Sequence, residues 1–401
     1  MWGIIWKSKT QYDSRSDQYT RSFMPKFLIV LSIMMGYTHL NDKINCMLTS
    51  RVAQLKQFVE ETCWIKGFYI YNEMHARLNE SAYYGIPEYT GYDGVMKSGE
   101  RHLCSTIGRA GGNNEECTPM TKRYITQYQW LPLYILVLAV LYYLPYVVYK
   151  AVNTDMIALV NSVDGANNKD VEKIANNYFN YQINSKLKMR IIVWANVAVK
   201  VLFILTNITG FLLTDKMMDG KFRTYGTDSM AHNTNLPNRN STDFSYIDQY
   251  VIARPGDYLL PTVGICEFHE ALTDKRGIYI DKHKVICEIS ENRRYQIYFI
   301  ILWLFMFSGI LISSFGLLLT VLKLVKSLLW VHLSSYFGEN PLSNKFTTQL
   351  TLRELQYLDK MEDMDLTMYG ELLRELSQNK SKTFSAADGT SEMVTLLPAG
   401  T

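Results

Sequence analysis

The chain has 401 residues, with 41 Lys and Arg against 38 Asp and Glu, and this formal net charge of +3 is too small for a nucleic-acid surface. Its 48% hydrophobic content and mean hydropathy of −0.07 are averages over four strongly apolar segments and the polar stretches between them, which argues against two or three ordinary soluble domains. The 13% aromatic share, including 28 Tyr and 7 Trp, suits membrane-interface belts as well as cores.

Residues 1–22 open on the apolar Met1-Trp2-Gly3-Ile4-Ile5-Trp6, with Lys7 and Lys9 beside it. One reading is an interfacial anchor, with Trp2 and Trp6 at the headgroups. The first span, 23–40, is short against the roughly 20 residues that cross a bilayer. Pro25 fits a first helical turn, and Lys26 can snorkel. A signal peptide is the rival reading, but no small-residue cleavage site follows. Residues 41–127 form a long polar loop. The second span, 128–149, carries no charge, ends against Lys150, and contains Pro145, which is expected to kink its last turns.

A polar connection, 150–190, is expected to be helical over Lys169–Asn184. The third span, 191–213, contains Lys200, with Asn196 and Asn207 at spacings of four and seven on one helical face. That face cannot look at lipid. An intramembrane charge is by default a functional-site hypothesis, and the alternative is that Lys200 pairs with a carboxylate and serves assembly. A second loop, 214–295, leads to the fourth span, 296–322, whose Gly309, Ser313 and Gly316 allow close helix approach. In 323–379, Thr351-Leu352-Arg353-Glu354 fits a capping box, and Leu352, Leu355, Leu358 and Met361 recur at helical spacing. A second amphipathic segment covers Leu366–Leu376, and the Ser-, Thr-, Ala- and Gly-rich tail 380–401 is expected to be disordered.

All 6 cysteines fall in the two loops: Cys46, Cys63, Cys104 and Cys117 in one, Cys266 and Cys287 in the other. Even numbers in loops, with none in the spans, read as disulfides on the oxidising side of a membrane. Both termini are then cytoplasmic. The sequons Asn79-Glu80-Ser81 and Asn240-Ser241-Thr242 lie in the same loops and make Asn79 and Asn240 candidate glycosylation sites. The fold class is therefore an all-α membrane protein with four spans, two disulfide-bonded outer loops and a helical inner region.

Tyr128-Gln129-Trp130, followed by an apolar run closing on Tyr143-Leu144-Pro145, resembles the innexin signature at the start of the second membrane helix. Five further segments agree in order: Cys46 with Cys63-Trp64, Leu205 to Gly210, Phe222 to Gly226, Pro261 to Phe268, and Cys287-Glu288-Ile289. The resemblance covers roughly residues 1–330. Gln127 stands where the family usually has a tyrosine, and four cysteines stand in a loop that typically has two, so the chain reads as a divergent member.

The resemblance implies a ring of subunits, commonly eight, whose first helices and N-terminal segments line a wide pore for ions and small metabolites. Two rings on apposed plasma membranes would dock through the outer loops at cell junctions. Met1, Trp2, Gly3, Ile4, Ile5 and Trp6 could then narrow the pore mouth, with Lys7 and Lys9 setting its electrostatic preference. Of 15 possible pairings of six cysteines, the family pattern suggests Cys46 with Cys287 and Cys63 with Cys266. Cys104 and Cys117, in an insertion peculiar to this chain, are expected to bond to each other. The partners implied are further copies of the chain, an opposing ring and membrane lipid, with no nucleic acid.

No catalytic, cofactor or metal site is expected. The 7 histidines are scattered, without a His-Glu-x-x-His or Cys-x-x-Cys pair. Glu267, His269 and Glu270 read as surface residues beside a disulfide cysteine, and Gly111-Gly112 lacks the Lys and Ser or Thr of a phosphate-binding loop.

Overall fold

A computed structural model describes residues 15–41, 44–48, 53–77, 80–96, 102–106, 117–164, 171–180, 184–234, 254–274, 277–336 and 350–376. Residues 1–9, Asn79, Asn240 and 380–401, singled out above, lie outside them. Helix α1 begins at Arg15–Gln18, widens into a π-helical turn at Tyr19–Phe23 and continues as Met24–Asn41. Strand β1 (Asn45–Met47), helix α2 (Lys56–Lys66) and strand β2 (Phe68–Tyr71) follow. Six short strands come next: β3 (Ser81–Tyr83), β4 (Ile86–Pro87), β5 (Gly94–Met96), β6 (Leu103–Cys104), β7 (Cys117–Pro119) and β8 (Lys122–Ile125).

Helices α3 (Leu131–Val152), α4 (Thr154–Asp164), α5 (Val171–Tyr178), α6 (Lys186–Met217), α7 (Phe222–Thr234) and α8 (Pro255–Leu259) precede two long strands, β9 (Val263–Asp274) and β10 (Gly277–Glu288). Helix α9 (Ser290–Tyr336), helix α10 (Leu352–Met364) and helix α11 (366–376) complete the described chain. Among the described residues, four helices are long and apolar enough to cross a membrane: Ser16–Leu40, Leu131–Val152, Lys186–Met217 and Ser290–Lys326. They outrun the apolar stretches on which they centre, because helical hydrogen bonding continues into flanking polar residues. Helix α3 runs on through Pro145, and Phe222–Gly226, placed above in a loop, is the first part of α7.

The chain divides into two compact units. One comprises residues 24–141 and 208–308. Here the all-α expectation needs correction, because the loops build a five-stranded sheet of order β1-β10-β9-β2-β8, antiparallel throughout. Cys46 faces Cys287 across β1 and β10 and is bonded to it, while Cys266 of β9 is bonded to Cys63 of α2. All four β2 residues, Phe68 to Tyr71, are buried. A second sheet, β6-β5-β7, carries the third disulfide, Cys104–Cys117. Helix α2 ends at Gly67, whose φ of 81° is the left-handed conformation that glycine adopts without steric cost. Below the sheet, Phe27 packs edge-on to Phe305 at 4.7 Å, and the Tyr295 hydroxyl donates to the Met35 carbonyl at 3.1 Å.

The other unit comprises residues 1–23, 142–207 and 309–401. Its core gathers Met156, Leu159 and Val163 of α4, Ile174 of α5, Tyr357, Leu358 and Met361 of α10, and Leu372 of α11. Thr351 caps α10, accepting from the Glu354 amide while the Glu354 carboxylate accepts from the Thr351 amide. The buried face of α10 is not the leucine stripe counted above. It runs Arg353, Glu354, Tyr357, Leu358 and Met361, with Leu352 and Leu355 half-buried. Among the described residues this helix runs from Val171 to Tyr178, and Lys169, where the expected helix begins, lies outside them.

A methyl group on Gly264 of β9 would stand 1.8 Å from the Phe68 ring, which is wholly buried. Gly264→Ala is therefore expected to destabilise the five-stranded sheet by about 1–3 kcal/mol, as overpacked cores do. A lowered melting temperature of the purified, detergent-solubilised chain is the measurement.

Candidate functional site

The sheet is organised around one carboxylate. Glu267 follows Cys266 in β9 and is 9% exposed, not the surface residue anticipated above. Its Oε1 accepts from the Tyr69 hydroxyl at 2.6 Å and from Lys122 Nζ at 2.7 Å, its Oε2 lies 2.9 Å from Lys282 Nζ, and its carbonyl accepts from Lys66 at 2.8 Å. One residue thus ties together α2, β2, β8, β9 and β10. Burial alone would raise the Glu267 pKa, but the bonds from Lys122, Lys282 and Tyr69 outweigh it and bring it down to about 2. The Tyr69 hydroxyl moves up, first through burial and then through its bond to Glu267.

Near α3, Tyr128 is wholly buried against Trp64 at 4.9 Å and Phe68 at 5.8 Å, and its hydroxyl donates to the Trp64 carbonyl at 2.9 Å. Gln129 Nε2 donates to the carbonyls of Trp64 and, at 3.1 Å, Ile65. These belong to the last turn of α2, whose carbonyls have no partner within the helix. Trp130 is exposed. The three sulfurs of Cys46, Cys63 and Cys287 lie within 4.8 Å of one another, yet each is in a disulfide and offers no thiolate to a metal.

A second polar cluster lies where α1, α6 and α9 meet. Lys200 Nζ donates to Asp17 Oδ2 at 2.6 Å, so the intramembrane lysine has a carboxylate partner. Two helical turns along α6, Asn207 Nδ2 donates at 3.0 Å to Thr20 Oγ1 and at 3.0 Å to Ser313 Oγ, which are themselves 3.0 Å apart. Glycine makes the approach possible: a methyl on Gly316 would stand 2.2 Å from Ser16 Oγ, and one on Gly309 would stand 2.7 Å from Asn207 Oδ1.

Comparison with protein-family models matches residues 13–380 to Innexin. The chain belongs to the innexin family. Innexin inx3 of Drosophila melanogaster is 23% identical over 210 residues, a match covering 51% of this chain and 48% of that protein, so the chain spans about half the length of the curated relative it matches. Tyr128 and Gln129 thus close the C-terminus of α2 beside Cys63. Pro145 lies inside α3. Asp17, Glu267 and Arg353 were missed in the sequence, because their partners Lys200, Lys122 and Asp155 lie 183, 145 and 198 residues away.

Two outcomes follow for the five-stranded sheet and the helix beside it. Gln129→Leu removes the side-chain donor from the Ile65 carbonyl and leaves the Trp64 carbonyl with the Tyr128 hydroxyl alone, and is expected to cost about 0.5–1.5 kcal/mol, read by thermal melting. Because the folded Glu267 pKa is below its ordinary 4.5, its contribution is present above that pH and fades as the pH falls toward 2. Glu267→Gln should therefore lower the melting temperature at pH 7 and flatten its decline between pH 4.5 and 2. An unaltered acid limb would contradict the assignment.

Proposed function

We propose that the chain is one subunit of a large-pore channel passing ions and small metabolites between adjacent cells, with rings of subunits docked across the gap. The observation that carries this reading is the union of the two outer loops, by two disulfides, into a single sheet within a chain of the innexin family. Disulfides persist in an oxidising compartment, which supports placing both loops outside the cell and both termini in the cytoplasm of a plasma-membrane protein. A rigid outer sheet presents the same surface on every subunit, as docking between two rings requires. Helix α1 and residues 1–9 would line the pore, and Trp2 and Trp6 would narrow it beside the cationic Lys7 and Lys9. Eight subunits are expected by family resemblance.

A second reading is the same ring working undocked as a hemichannel. The sequons at Asn79 and Asn240 favour it, because a glycan on either loop would obstruct an approaching ring. End-on images of purified particles should show a closed ring with a central hole, and single chains or dimers would remove the channel reading. Dye transfer between paired expressing cells, combined with a glycosidase mobility shift, separates the two modes. Transfer without a shift supports junctions, and a shift with dye uptake from the medium but no transfer supports hemichannels.

A further inference from the structure

The cluster on α6 does not stand alone. Four residues before Lys200, the Asn196 Oδ1 accepts from the Asn153 side chain, just past the end of α3. Asn153 Oδ1 in turn accepts from Arg353 Nη2 of α10 at 3.0 Å. Arg353 is 1% exposed, and its guanidinium also donates to Asp155 at 2.8 and 3.1 Å. Hydrogen bonds therefore link Arg353 of α10 through Asn153 to Asn196 of α6, and α6 itself carries the connection one turn on to Lys200, bonded to Asp17, and two further turns to Asn207, bonded to Thr20 of α1. Every member lies within one compact unit.

The receiving end has a structural peculiarity. Thr20 lies inside the π-helical turn Tyr19–Phe23, and Asp17 lies in the turn before it. A π-turn accommodates one residue more than an α-turn and is a recurrent feature of functional sites. Converting it to α-helix would rotate the residues N-terminal to it by roughly 100°, one residue's share of a helical turn. That rotation takes Asp17 off Lys200. The ion pair and the Thr20–Asn207–Ser313 triad therefore favour the π form, and each would be lost in the α form.

We propose that this path is a positioning device: Arg353 of α10, acting through Asn153 and the polar face of α6, holds the first turns of α1 in the π-helical register. Its consequence for conduction rests on the channel reading, in which α1 lines the pore. Asp17, Lys200, Asn207 and Arg353 are then positioning residues, setting the rotation of α1 without touching what passes. A change in α10 reaches α1 through side chains that have two discrete arrangements, paired or unpaired.

The test uses the full chain, in two readouts. In purified protein, hydrogen–deuterium exchange over 16–24 is expected to rise in Lys200→Gln and, at a distance, in Arg353→Lys, which keeps the charge beside Asp155 but cannot also span to Asn153. In expressing cells, the open probability of undocked rings is expected to change by about fivefold or more in each variant, the lower end of ordinary coupling between sites. The double variant should change no more than the larger single one, and the swap Asp17→Lys with Lys200→Asp should return both readouts toward wild type. Exchange over 16–24 unchanged in Arg353→Lys overturns the proposal, as do effects of the two single variants that multiply independently. Faster exchange in both variants, with neither current nor dye transfer between paired cells from the wild-type chain, upholds the positioning device and removes the channel reading instead.

Discussion

The bond between Cys46 and Cys287 is the constraint on which the five-stranded sheet depends. Cys46 stands just after α1, and Cys287 stands just before α9, so one covalent link joins the end of the first span to the start of the last. It also sets the β1–β10 register, since the two cysteines are directly opposed. A three-residue strand such as β1 specifies register poorly through side-chain alternation, because a slip by one residue needs little apolar surface to change faces. Glu267 complements the second disulfide from the neighbouring position. Its carboxylate draws Lys122, Lys282 and Tyr69 to the strand that Cys266 anchors to α2.

The membrane imposes the second constraint. A charge in hydrocarbon is tolerated when paired, and Lys200 with Asp17 meets that condition inside the protein. Small residues do the complementary work. Gly309 and Gly316 bring α9 close enough for Ser313 to bond Thr20 and Asn207. Apolar residues on the outer faces of the spans, such as Ile33, Val137, Trp194 and Leu311, remain exposed in the single chain. Lipid or neighbouring subunits are the natural surroundings for such faces.

The four spans were legible in the sequence because each is a long apolar run, and the α10 capping box because its residues are local. Lys200 was legible as a group in need of a partner, but Asp17 could not be picked out as that partner among 38 acidic residues. The sheet was less legible. Strands of two to four residues in 41–127 carry no countable alternation. Strands β9 and β10, each of 12 residues and separated by only Lys275-Arg276, did carry a hairpin signal, which the cysteine-based reading passed over. Glu267 and Arg353 were hidden by the ordinary presumption that charged residues are exposed, which fails where several donors or acceptors converge.

The separation of the bonded cysteines also bears on biogenesis. Cys46 is made 241 residues before Cys287, and Cys63 is made 203 before Cys266. At about 5–20 residues per second, the early thiols wait on the order of tens of seconds for their partners. Cys104 and Cys117, 13 residues apart, both emerge during that interval. The insertion therefore places two competing thiols beside the waiting pair, and prompt closure of Cys104 on Cys117 removes that competition.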